Sequence, residues 1–245
     1  MQNGPLTLAL DIGGTGLKAG VLDAEGTLIV PHARVDTPKK GTPPDLVEAL
    51  IGLIKPLGSF DRVSVGFPGV VRGGHVMTAP NLGNENWHDY PLAPVLKDRL
   101  GKPVRMLNDA SVHGLGVIKG SGVECVITLG TGFGFSLFDN GHLAPHLELA
   151  HHPIHDDKDY DQYIGEAALK SIGPKRWNKR LANALTCVQT LTYYDALFIG
   201  GGNARHIKIP LEKNVQIVPN DAGITGGVRL WDPKLDPAFA ADLGA

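Results

Sequence analysis

Short apolar runs, each closed by Gly, Asp or Pro, recur along the chain and predict alternating strands and helices. Leu6–Asp11, Leu17–Asp23 and Thr27–Val35 read as three strands, joined by a glycine turn and by Ala24-Glu25-Gly26. Thr42, with Pro43 and Pro44 behind it, opens a helix that runs to about Lys55. Arg62–Phe67 is a strand, and Val70–Val71 with His75–Thr78 forms a hairpin around Arg72-Gly73-Gly74. An irregular loop rich in Asn and Gly then extends from Ala79 to Asp89, a length that is often functional. Leu92–Leu100 reads as a helix and Val104–Leu107 as a strand ending at Asn108-Asp109, with a helix from Ala110 to Ile118 after it. Glu124–Leu129 is the next strand, and Asn140-Gly141 turns Phe135–Asp139 onto His142–Leu143. Tyr160–Ile172 and Pro174–Leu191 read as helices, Ala196–Gly200 as a strand, and a last helix begins near Gly223.

Both halves open with strand, tight turn and strand, then continue with alternating helices and strands, which is an α/β pattern. The boundary is placed at Asn108: one lobe over 1–107 and a second over 108–234, with the tail 235–245 packing back on the first. A chain of 245 residues, 42% hydrophobic and 20% charged, suits one large or two small packed domains. Its net charge of −2 gives no general attraction to nucleic acid or anionic membranes. Met1-Gln2-Asn3-Gly4-Pro5 has neither a basic stretch nor an apolar one, so a leader or membrane span is not expected and the cytoplasm is the default. Cys125 and Cys187 stand too far apart for a zinc ribbon or a disulfide framework.

The chemistry begins with a turn that occurs twice. Asp11-Ile12-Gly13-Gly14-Thr15-Gly16 and Leu129-Gly130-Thr131-Gly132-Phe133-Gly134 superpose without gaps, Gly14 on Gly130 and Asp23 on Asp139. Glycines there let backbone N–H groups close on an anion with no Cβ in the way. Only the first copy carries an acid, since Ile127 takes the place matching Asp11. A third cluster, Gly200-Gly201-Gly202, ends a buried-looking strand where a nucleotide base can lie against the backbone. A lone glycine hairpin is more often merely a turn.

The ordered set Asp11–Gly16, Asn108-Asp109, Leu129–Gly132, Glu148-Leu149-Ala150-His151 and Gly200–Gly202 resembles the ROK sugar kinases (repressor, open reading frame, kinase) of the actin-like ATPase superfamily. Gly16-Leu17-Lys18 and the Asn84–Trp87 loop are most similar to the polyphosphate/ATP glucokinase branch. The resemblance implies a two-lobed ribonuclease H-like fold of actin/hexokinase type with an interdomain cleft. It also implies a phosphotransferase acting on the 6-hydroxyl of glucose from ATP, polyphosphate or both. Typical relatives carry Lys at the place of Gly16, Gly at the place of Ala150, and a zinc-binding cysteine–histidine cluster that this chain lacks. Zinc is therefore not expected.

By that resemblance Asp109 is the general base, and Asp11 anchors Mg²⁺, through water, beside the donor phosphates. Gly13, Gly14, Thr15, Gly16, Gly130, Thr131 and Gly132 supply donors to phosphate oxygens, while Gly201, Gly202 and Asn203 receive the adenosine. Asn81, Asn108, Glu148 and His151 contact the sugar. Plainer readings stand beside these. Asp109 suits a helix N-cap and Asp11 a turn cap. Asn81 follows Pro80 as a turn residue does, and His151 and His152 suit the surface. A metal site of His151, His152 and His155 lacks acidic or cysteine partners at zinc spacing. Lys18 reads as a solvated strand lysine outside the site, and Glu166 as an exposed helix glutamate or a second sugar ligand. Lys170, Lys175, Arg176, Lys179 and Arg180, with Trp177 among them, form either a solvated face or a track for a polyanion. Small-molecule partners and a homodimer are expected, with no nucleic acid and no membrane. The alternatives are a ROK-type kinase for another hexose, or a sugar-sensing regulator or non-catalytic sugar-binding protein of the same family. The first strand starts too early to leave room for a helix-turn-helix before it.

Overall fold

The computed structural model describes residues 4–39, 42–219 and 222–243. Met1-Gln2-Asn3, on which part of the leader reading rests, lies outside them. The chain divides into two compact units, Met1–Gly116 with Asp221–Ala245, and Val117–Asn220.

The first unit carries β1 (Thr7–Ile12), β2 (Gly16–Leu22), β3 (Ala33–Asp36), α1 (Pro43–Ile54), β4 (Arg62–Phe67), a small hairpin of β5 (Val71–Arg72) and β6 (His75–Val76), α2 (Leu92–Leu100), β7 (Val104–Asn108) and α3 (Asp109–Leu115). Its sheet runs β3-β2-β1-β4-β7. β1 and β2 are antiparallel, as are β2 and β3, while β1, β4 and β7 are parallel. Alternation along the strands fills one face with Leu8, Leu10, Ile12, Val63, Val65 and Phe67, packed against Leu46, Leu50 and Leu96 of α1 and α2. Thr42 and Asp45 cap α1 reciprocally, the capping box that the Thr-Pro-Pro start foreshadows.

The second unit repeats the plan with β8 (Val123–Leu129), β9 (Phe133–Asp139), β10 (His142–Leu143), β11 (Pro153–His155), β12 (Lys158–Asp159), α4 (Tyr160–Ile164), α5 (Glu166–Thr192), β13 (Ala196–Gly200) and β14 (Val215–Ile217). The sheet order β10-β9-β8-β13-β14 has the same sense at each step. Trp177, Leu181, Ala184 and Val188 pack from α5 against Cys125, Ile127 and Leu129 of β8. The chain then returns to the first unit through α6 (Ala222–Thr225) and a run of 3₁₀ turns. This segment covers the other face of the first sheet, where Ile224 meets Ala9 and Leu22. Ser64 Oγ donates to the Gly227 carbonyl at 2.7 Å and accepts from Trp231 Nε1 at 2.9 Å.

Several expectations shift. The strand expected over Thr27–Val35 is interrupted: Leu28 makes an isolated bridge to Leu22, and regular pairing resumes only at Ala33. Pro31 lies between them and has no N–H for the ladder. Tyr160–Ile172 breaks at Gly165, where a methyl group would lie 2.5 Å from the Asp161 carbonyl oxygen and 2.8 Å from that of Thr131. The break expected before Pro174 survives as a kink inside α5, at Gly173 with φ 74°. The boundary placed at Asn108 falls after Gly116. α3 packs on α6, and a methyl group on Gly116 would meet the Ala222 carbonyl at 3.0 Å. Unlike the ungapped superposition, the first glycine turn is one residue longer. Ile12 pairs with Leu17, whereas Leu129 pairs with Phe133, so the register place of Asp11 is held by Thr128.

Glu124 fixes the entry to the second sheet. It is 1% exposed, and its carboxylate accepts the N–H groups of Lys119, Gly120 and Ser121 at 2.8, 2.7 and 3.2 Å. Glu124→Ala takes a buried charged acceptor from three backbone donors of exposed residues and is expected to cost about 2 kcal/mol. Urea unfolding checks this as a lower midpoint with an unchanged slope.

Candidate active site

In the first unit, Asn108 ends β7 and caps α3. Its amide oxygen accepts from Ala110 N at 3.0 Å and Ser111 N at 3.4 Å, and its amide nitrogen donates to the carbonyls of Gly69 at 3.1 Å and Phe67 at 3.5 Å. The cap reading proposed for Asp109 therefore belongs to Asn108, whose hydrogen-bonding capacity is filled by the protein. Asp109 is the first residue of α3, half-buried, with Oδ1 accepting from Ala110 N at 2.8 Å. The loop held by Asn108 continues through Val70, whose N–H donates to Thr78 Oγ1 at 3.0 Å, to Asn81. Asn81 packs on the first turn, its Cβ 3.0 Å from where a methyl group on Gly14 would sit. Asn81, the first turn and Asp109 thus belong to one connected framework.

Both turns close on themselves. Gly13 N donates to the Gly16 carbonyl at 2.9 Å, and Gly130 N to that of Gly132 at 3.1 Å. These two N–H groups are used internally, so Gly13 and Gly130 shape the turns. Among the described residues, the N–H groups of Gly14, Thr15, Thr131 and Gly132 donate to no protein acceptor. They are the donors left for an anion.

The second turn is braced from three directions. Glu166 N donates to the carbonyls of Gly130 and Thr131, each at 3.1 Å, and Asn203 Nδ2 donates to Gly130 O at 2.9 Å. Gly201, with φ 87°, lies directly on the Leu129 backbone. Asp161 completes the brace. Its Oδ1 accepts Phe133 N at 2.6 Å, and a methyl group on Gly132 would lie 2.6 Å from both carboxylate oxygens. Glu148 Oε2 lies 3.1 Å from His146 Nε2, and His151 Nδ1 lies 3.4 Å from Asp159 Oδ2. The second unit therefore brings together the second turn, Gly201–Asn203 and Asp161, beside His151 and Glu148.

Two residues were missed by sequence reasoning. Lys18, set aside as a solvated lysine, pairs with Asp11 at 2.8 Å; their side chains are 32% and 19% exposed. Its signal is the hairpin register, which sets Asp11 opposite Lys18. Asp161 was legible only through Asp159-x-x-Gln162, a capping box that starts α4 and places Asp161 in its first turn. Glu166 forms an exposed i,i+4 pair with Lys170 at 2.8 Å. Trp177, read as part of the basic cluster, is fully buried and donates to the Ile164 carbonyl at 2.7 Å. Arg180 donates to the Tyr163 carbonyl at 3.1 Å and lies over its ring, while Lys175, Arg176 and Lys179 are exposed.

Burial pushes the Asp161 carboxyl above its ordinary value, against the pull of the Phe133 N–H and the His151 charge. A raised native pKa contributes stability that is present below the unfolded value and lost as pH rises through the native one. Asp161→Asn keeps an oxygen for Phe133 N and removes the buried charge. At pH 7 it is expected to unfold at higher urea than the parent, with the difference closing as pH falls through the aspartate range. Paired urea titrations at pH 7 and pH 3.5 check this; a gap that widens in acid contradicts it.

Magnesium takes oxygen ligands and keeps several waters. Among the described residues, no group of three or more His, Cys, Asp or Glu side chains gathers to hold a metal ion. Asp11 offers one carboxylate, with Oδ2 already on Lys18. That fits an ion arriving on the donor phosphates and does not fit a protein-built cage. No helix among the described residues is long and apolar enough to cross a membrane.

A family model described as ROK family matches residues 7–152. The polyphosphate glucokinase of Mycobacterium tuberculosis (strain CDC 1551 / Oshkosh) is 31% identical over 238 residues, spanning 89% of this chain and 88% of that protein. The crystal structure of the inorganic polyphosphate/ATP-glucomannokinase from Arthrobacter sp. strain KM superposes with a TM-score of 0.83 at 32% identity, covering 93% of this chain and 98% of that one. A ROK family glucokinase from Streptomyces griseus, solved with glucose and AMPPNP, shares the fold at a TM-score of 0.78 and 21% identity, over 92% of this chain and 98% of that one.

Proposed function

The chain belongs to the ROK family, with the actin-like α/β fold of its sugar kinases, and from that footing we propose that it transfers a phosphoryl group from ATP, polyphosphate or both to the 6-hydroxyl of glucose. It is a hexose kinase. The observation that carries the finer reading is the connected framework of the first unit. Asp109 stands at the end of parallel β7, fixed by the Asn108 cap, and Asn81 of the same loop leans on the first glycine turn.

Phosphoryl transfer needs positioning and charge neutralisation more than covalent help. Asp109 accepts the hydroxyl proton as the acceptor oxygen approaches phosphorus. Gly14 and Thr15 of the first turn, and Thr131 and Gly132 of the second, turn their N–H groups on the phosphate oxygens. Asn81, Glu148 and His151 match sugar hydroxyls, and Asn108 serves by holding Asp109. Gly201, Gly202 and Asn203 receive the adenosine when ATP is the donor. Magnesium, held by Asp11 and the phosphates, would neutralise donor charge. The reading takes the protein to be a cytoplasmic homodimer acting on small molecules, with no nucleic-acid or membrane partner.

The test is a coupled assay for glucose 6-phosphate with ATP and then with polyphosphate, with and without Mg²⁺. Magnesium-dependent product from at least one donor is expected. Product from another hexose alone moves the assignment to a ROK kinase of that sugar. Binding of glucose without turnover on either donor leaves a non-catalytic sugar-binding protein.

A further inference from the structure

We propose that Arg34 is a further binding residue for the phosphoanhydride chain of the donor, acting beside Lys18 on the outer flank of the first glycine turn. The proposal rests on the kinase reading above and names a contact which that reading leaves out.

The register carries it. Asp11 is the direct partner of Lys18 across β1 and β2, and Lys18 is the direct partner of Arg34 across β2 and β3. Directly opposed residues in neighbouring strands share a face. Carboxylate, ammonium and guanidinium therefore form one row across three strands, next to the turn that joins the first two. Like charges directly opposite one another are unfavourable in a sheet. Lys18 is offset by its 2.8 Å pair with Asp11. Arg34 is exposed, and among the described residues no carboxylate pairs with it. The sheet thus keeps an uncompensated cation at the margin of the turn.

Gly16 brings that cation to the turn. A methyl group at Gly16 would lie 2.9 Å from Arg34 Nε and 3.1 Å from Nη2. The guanidinium rests against bare backbone at the last residue of the turn, in a space any side chain would occupy. Gly14 and Thr15, whose N–H groups have no protein acceptor, precede it directly. A planar fork of donors beside free backbone N–H groups suits an anion with several phosphate groups, because guanidinium binds phosphate oxygens in pairs. The other basic cluster is less available, with Lys170 on Glu166 and Arg180 on Tyr163.

ATP and inorganic polyphosphate share this chemistry, so the test has an arm for each. Arg34→Gln is expected to raise the KM for the donor about tenfold, the loss of one charge-assisted hydrogen bond, with the KM for glucose within about twofold. Arg34→Lys keeps the charge without the fork and recovers part of the loss. Lys97→Gln removes the same charge from the exposed side of α2 and leaves both constants unchanged. Calorimetric titration with tripolyphosphate and Mg²⁺ reads the contact without turnover. An increase with polyphosphate alone assigns Arg34 to the inorganic chain, and an increase with both assigns it to phosphates common to the two donors. Tripolyphosphate affinity and both donor KM values within about twofold of the parent overturn the proposal. If the parent phosphorylates no hexose yet binds tripolyphosphate through Arg34, the kinase reading fails and the contact stands.

Discussion

Asp109→Asn is expected to lower kcat for sugar phosphorylation by about 10²–10⁴-fold, the usual worth of a positioned proton acceptor. The substitution is close to isosteric. An amide oxygen can still accept from Ala110 N, which now reaches Oδ1 at 2.8 Å, and the cap of α3 belongs to Asn108. The helix start, the Gly69 carbonyl contact and the position of Asn81 all survive. The loss should therefore fall on turnover, with the urea midpoint and the glucose KM near those of the parent. A coupled assay beside urea unfolding separates the two. A rate close to the parent's removes Asp109 as the base, and a collapsed midpoint means that the change acted on folding.

Gly201→Ala should have the largest effect in the second unit. Gly201 combines φ 87° with ψ 157°, a region open to glycine alone. Its α-carbon faces the Leu129 backbone so closely that a methyl group would overlap the Leu129 carbonyl oxygen. Leu129 is the residue before the second turn, so relief of that overlap must move either the turn or the Gly201–Asn203 segment. Backbone strain and overpacking together are expected to cost about 3 kcal/mol or more. Binding of a non-hydrolysable ATP analogue should weaken in parallel, because Asn203 Nδ2, which holds Gly130 O at 2.9 Å, moves with the segment. Urea unfolding and calorimetry are the two measurements. An unchanged midpoint with unchanged nucleotide affinity would show that this contact does not brace the turn.

Where a segment's limits are set by its own residues, the sequence was enough. β4 over Arg62–Phe67, α2 over Leu92–Leu100 and β13 over Ala196–Gly200 begin and end where they were read, since period and punctuation coincide there. The Asn140-Gly141 turn did the same, with φ of 48° and 80°. What escaped depends on distant partners. The break at Gly165 is dictated by the Thr131 carbonyl, 34 positions earlier in the chain, and by Asp161 one turn back. The return of Gly227 to Ser64 has no local mark. Lys18 and Arg34 gain meaning only from strand register, which hydrophobic alternation does not specify to the residue. Trp177 could have been placed better. It shares a helical face with Leu181, Ala184 and Val188, and that spacing marks it as core whatever charges flank it.

The return of the chain to its first sheet orders assembly in time. A nascent polypeptide halted after position 220 already contains every strand of the later unit, Val117–Asn220. It still lacks Ile224, which covers Ala9 and Leu22, and Trp231, which reaches Ser64. The unit begun earlier is thus completed only after the later one, and the surface around Ala9 stays wet until Ile224 and Trp231 have been made.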